Sequence, residues 1–265
     1  SLRVGQILAD LVDIYAVEPD LRRVFERLTS GVDQRLTRSA PAEASALLQP
    51  LARWAEQPTS EPNLASLRLR TEQFLGLLLD PARLTLLMAG AQRQTMSPES
   101  VAAWFAALPR RDAARALDFA ASLPAGPYRA AILHVVAFLT AGSPELLVTA
   151  VRERGLGPAL LAFELSEPSE DPQTRTQAAI AAAQRPEPIL ALRGARALLA
   201  DPSPQGASAM IELLSSANPE LVLLASTFVT RTRAGAAGPR LESMVGAASF
   251  TQRSRAEQIA LCVAF

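Results

Sequence analysis

The sequence predicts an all-α protein built as an α-solenoid of stacked antiparallel helix pairs, and three observations carry that prediction. Apolar residues make up 49% of the chain but aromatics only 5%, the excess being Ala and Leu, which suits thin helix-on-helix packing. Pro127, Pro144, Pro158, Pro172, Pro188, Pro204 and Pro219 recur at intervals of roughly 14 to 17 residues, and an apolar run follows each. Sliding the chain on itself by 31 residues sets Leu190 on Leu221, Gly194 on Ala225, Leu198 on Val229, Met210 on Leu241, Leu213 on Met244 and Leu214 on Val245. Small meets small and large meets large, independently of the prolines. Continued once more, the register places Ala256 and Ile259 on core positions.

Each helix start has a local cause. Proline in the first turn loses no hydrogen bond, because the N–H groups there have no intrahelical acceptor, and a preceding Ser, Asp or Asn can cap them. Ser97-Pro98-Glu99, Ser143-Pro144-Glu145 and Asn218-Pro219-Glu220 add a carboxylate that the helix dipole favours. Asp80-Pro81, Asp171-Pro172 and Ser203-Pro204 keep the cap and the proline. Behind these starts Val101, Trp104, Phe105 and Leu108, or Leu221, Leu224, Ala225 and Phe228, follow the i, i+3, i+4, i+7 spacing of a one-sided helix. Helices of about three turns are marginal alone and need neighbours.

Residues 1–60 read as an N-terminal helical cap or divergent start, with longer, more charged segments over Val4 to Tyr15, Pro19 to Leu36 and Pro41 to Glu56. The turn-forming run Gln57 to Asn63 ends them, and 61–265 is expected to be the repeat array. Ile259 to Phe265 stop within an apolar helix, so the array is expected to continue past residue 265.

Asp171-Pro172-Gln173-Thr174-Arg175 leading into an Ala-rich helix, and Ala217 to Val222 following Leu213-Leu214, resemble bacterial HEAT-like repeats of the phycobilisome-lyase type. The resemblance covers about 97–265 well and 62–96 loosely. It implies a right-handed superhelical array of about five or six pairs, used as a scaffold that binds another protein. The arginine typical of that family after the Asp-Pro turn occurs only at Arg175; Val222 and Ala207 stand in comparable places, so hydrogen bonding between repeats is expected to be thinner.

The search for chemistry returns little. A Ser-His-Asp site or a His-based metal centre needs imidazole, and His134 is the single histidine, expected half-buried in a core helix and bonded to a backbone carbonyl. Cys262, the single cysteine, excludes an internal disulfide and is expected to be an inert packing residue. Gly235 to Arg240 lacks the lysine and hydroxyl of a phosphate loop, and no dinucleotide fingerprint occurs. Glu164 with Glu167, and Glu170 with Asp171, read as solvated surface charge; Trp54 and Trp104 read as core. The chain is therefore expected to be non-catalytic, with no cofactor or metal. No stretch reaches the 18 to 20 apolar residues of a membrane span, and a cytoplasmic location is expected.

Arginines are the features with binding chemistry. All 26 basic residues are arginine, balanced by 26 acidic ones, and net neutrality argues against a nucleic-acid coat. Arg193 and Arg196 share a helix face, Arg231 and Arg233 precede a loop, and Arg253 opens the last helix. These five are the candidate contacts for an acidic or helical protein partner. The alternative is a nucleic-acid protein using the basic C-terminal end, since DNA glycosylases occur among HEAT-like proteins. A small-molecule enzyme of the bilin-lyase type is the third reading, disfavoured by one His and one Cys.

Overall fold

The computed structural model describes residues 18–56, 60, 62–201 and 203–265, so the segment Val4 to Tyr15 lies outside the described residues. Every regular element described is helical, with fifteen α-helices and three short 3-10 turns. The chain divides into two compact units, Ser1–Leu146 and Leu147–Phe265.

In the first unit α1 (Glu18–Thr37) packs on α2 (Pro41–Ala55), α2 on α3 (Pro62–Leu77), and α1 also on α4 (Pro81–Gln92). Helix α5 (Pro98–Ala106) lies against α2, and α7 (Pro127–Thr140) packs on both α5 and α6 (Ala113–Ser122). The core is aromatic at two places: Phe25 stacks on Phe74 at 4.1 Å, and Phe105 meets Phe119 at 5.0 Å. Polar ties fix the helix pairs. Arg83, buried at the start of α4, donates from Nε to Asp33 Oδ1 at 2.7 Å and from Nη2 to Asp33 Oδ2 at 3.1 Å, and also pairs with Asp80. Such a fork matches carboxylate geometry, which lysine would not. The Ser45 hydroxyl donates to the Ala103 carbonyl, and Tyr128 donates to the Met96 carbonyl at 2.6 Å.

The second unit contains most of α8 (Glu145–Glu153), then α9 (Leu156–Ser166), α10 (Pro172–Ala183), α11 (Pro188–Leu199), α12 (Pro204–Leu213), α13 (Pro219–Thr232), α14 (Gly238–Val245) and α15 (Arg255–Ala264). From α9 to α13 each helix packs on the next, as α14 does on α15. Helices two apart also meet: α9 with α11, α11 with α13, α13 with α15, and α10 with α12. The tightest junction is α10 on α11. Ala178, Ala179, Ala181, Ala182 and Ala183 are all buried, and their small side chains let Gly194 press against the α10 backbone.

The proline starts are observed at Pro81, Pro98, Pro127, Pro172, Pro188, Pro204 and Pro219. Asp80, Ser97, Asp171, Ser203 and Asn218 each accept from a first-turn N–H. Two starts differ: α8 begins at Glu145, one residue past its proline, and α9 begins at Leu156, with Pro158 inside its first turn. Of the 31-residue matches, Leu190 with Leu221, Gly194 with Ala225, Leu198 with Val229, and Met210 with Leu241 are buried in both members.

The register does not continue into the last helix. Ala256 and Ile259, expected on core positions, are exposed, while Glu257 and Leu261 are buried. The reason is a 3-10 turn, Ala248–Gln252, that delays the helix start to Arg255, 36 residues after Pro219. A helix turned by this shift presents a different face.

Candidate partner-binding surface

The five predicted arginines all lie in the second unit, in two states. Arg193 and Arg253 are already paired. Arg193 Nη1 on α11 meets Glu164 Oε1 on α9 at 2.8 Å, and Arg253 Nη1 meets Glu257 Oε1 at 3.1 Å. The second pair belongs to the N-terminus of α15, where Ser254 Oγ accepts from the Glu257 N–H and Glu257 Oε2 accepts from the Ser254 N–H. The sequence signal for this capping box is Ser254-Arg255-Ala256-Glu257. Burial pushes the Glu257 carboxyl up, but hydrogen bonds from Ser254 and Arg253 outweigh it and hold the group below its ordinary value.

Arg196, Arg231 and Arg233 are exposed, and no carboxylate among the described residues pairs with them. Arg233 holds a left-handed conformation, φ 50°, at the end of α13 where glycine is usual. Arg231 lines a groove between α13 and α15 of about 350 Å³, with Ser226, Thr227, Thr230, Ala256, Ile259 and Val263. Ile259 and Val263 are 55% and 64% exposed. The groove exists because the shifted register of α15 turns these two side chains outward.

A second, larger hollow of about 990 Å³ lies where α9 and α11 end and α10 and α12 begin, with Phe163, Glu167, Arg175, Thr176, Asp201 and Gln205 on its wall. Its polar floor is self-satisfied. The buried Thr176 hydroxyl donates to Asp201 Oδ2, and Asp201 Oδ1 accepts from the Ser203 N–H at 2.8 Å. Burial raises the Asp201 carboxyl, yet the Thr176 and Ser203 hydrogen bonds, with Arg175 nearby, leave it lowered. Asp171 is lowered by the Thr174 hydroxyl first and the Gln173 N–H second. Arg175 donates to the Ser169 carbonyl. Thr176, the residue after the arginine the sequence pointed to, thus ties α10 to the junction between α11 and α12 through its hydroxyl.

Two sequence expectations are corrected. His134 is exposed on α7 instead of half-buried, because Ile132, Val136 and Leu139 take the core face. Cys262 is exposed on α15 instead of packed, because Glu257 and Leu261 take the buried face of that helix. Trp54 and Trp104 are buried, as expected, and Trp54 receives the Arg68 guanidinium over its ring at 5.2 Å. Glu164 is held by Arg193, while Glu167 and Glu170 are exposed. Among the described residues no group of three His, Cys, Asp or Glu side chains could hold a metal ion, and no single helix is long and apolar enough to cross a membrane. Compared with protein-family models and with curated proteins, the chain matches none.

Proposed function

We propose that this chain is a non-catalytic protein-interaction scaffold, an α-solenoid of HEAT-like helix pairs that binds a partner on the outward faces of its second unit. The observation that carries the reading is the state of the arginines. Arg196, Arg231 and Arg233 stand exposed without a carboxylate partner among the described residues, and Arg231 shares a groove with outward-facing Ile259 and Val263, in a chain of zero net charge. Exposed cations next to exposed apolar side chains are the composition of a protein interface, where arginine is enriched. The pairing of helices two apart in the second unit supports the solenoid architecture, because stacked repeats contact only their neighbours.

The test is capture of a partner on the full chain, followed by cross-linking and mapping of the contacts. Cross-links from α11, α13 and α15 to a protein support the reading. Recovery of nucleic acid alone, with affinity falling steeply as salt rises, would replace it with the glycosylase-like alternative.

A further inference from the structure

The groove between α13 and α15 has a shape and a charge that narrow the class of partner. Its walls are small or apolar: Ser226, Thr227 and Thr230 on one side, and Ala256, Ile259, Ala260 and Val263 on the other. Among the described residues Arg231 is the one charged residue on its wall, and no carboxylate lines it. Arg255 is exposed and lies one turn before Ile259 on the same face of α15, so a second cation flanks the apolar strip. A volume of about 350 Å³ holds a few side chains and is small for a cofactor-sized ligand.

We infer that this groove takes the apolar stripe of an amphipathic helix from a protein partner, with that helix's carboxylates placed against Arg231 and Arg255. The inference rests on the scaffold reading and deepens it by naming the partner's chemistry and seat. An amphipathic helix presents apolar anchors at i, i+3 or i+4 and i+7, which suits a shallow trough between two helices better than an extended strand does. Ile259 and Val263, four residues apart, present matching apolar contacts from the groove wall. The charge selects for acidic helices, because a lysine-bearing helix would meet Arg231 on the lining and Arg255 beside it, with no carboxylate on the lining among the described residues.

The experiment uses the full chain and three labelled peptides read by fluorescence anisotropy. One is a helical peptide with Leu on one face and Glu on its borders; the second has the same composition scrambled; the third carries Lys for Glu. Specific binding of the first, weakened about tenfold or more by Arg231→Glu and by Ile259→Ser with Val263→Ser, is expected. Those side chains are exposed or at the groove rim, and unchanged circular dichroism and Tm confirm that the variants fold. Equal binding of the scrambled peptide, or unchanged affinity in the Ile259→Ser/Val263→Ser variant, overturns the inference. Concentration-dependent dimerisation abolished by Val263→Ser also overturns it, naming a second copy as the occupant. A captured protein partner that binds this variant normally sinks the groove and leaves the scaffold; the absence of any protein partner sinks the scaffold itself.

Discussion

A β-carbon added to Gly194 would stand 2.4 Å from the Ala183 backbone nitrogen and 2.6 Å from the Ala179 carbonyl oxygen, so α10 and α11 touch backbone to backbone. No flexible side chain is there to move aside. Gly194→Ala should therefore lower stability by about 1 to 3 kcal/mol, despite the gain of roughly 1 kcal/mol in helix propensity. Urea unfolding measures it, and a neutral or stabilising result would mean that the helices separate at little cost.

Thr176 and Asp201 provide a second test, with the sign set by pH. A carboxyl with a lowered folded value contributes stability above its ordinary range, near 4, and loses that contribution as pH falls through the folded value. Thr176→Val keeps the shape and removes the donor. It should cost about 1 kcal/mol at pH 7, and the cost should shrink on acidification as Asp201 protonates in both proteins. An equal cost at both pH values would assign the loss to packing.

Asp112 in the first unit behaves oppositely. Burial raises its carboxyl, with Arg115 and Arg111 pulling the other way, and its Oδ2 is buried with no hydrogen-bond partner among the described residues. The stability tied to this group is fully present below the ordinary value and is lost as pH rises through the raised one. Asp112→Asn should gain stability at pH 7 and gain none near pH 3; thermal melts at the two pH values decide.

Trp104 is fully buried, yet its Nε1 has no hydrogen-bond partner among the described residues. Trp104→Ala should cost about 3 to 5 kcal/mol through the cavity it leaves. Trp104→Phe should cost less than half as much, since it removes an unsatisfied donor along with some volume. Chemical denaturation of the two variants gives the comparison.

Helices were legible wherever a local rule acts alone. The caps at Asp80, Asp171, Ser203 and Asn218 and the proline starts follow from donors that every helix leaves open, so short sequence windows suffice. Burial of Leu190 and Leu221 was legible because one repeat length holds between them. The face of α15 was not. It depends on whether 248–252 forms a 3-10 turn or an α-helical start, and a five-residue shift in that choice moves Ile259 from core to surface. His134 was hidden for a different reason: apolar residues lie all round its helix, and only packing decides that Ile132, Val136 and Leu139 take the core face. The arginine candidates divided for a related reason: Glu164 is 29 residues from Arg193, a partner that only the packing of α9 on α11 brings within reach.

The central claim is that a protein partner is held by the exposed arginines of the second unit. The direct measurement is the affinity of a captured partner for the full chain and for the Arg196→Glu/Arg231→Glu/Arg233→Glu variant, by biolayer interferometry at fixed salt, with Tm recorded for both. The account predicts an unchanged Tm and a Kd at least about tenfold weaker, carried mainly by faster dissociation. Equal Kd values for the two proteins would contradict it.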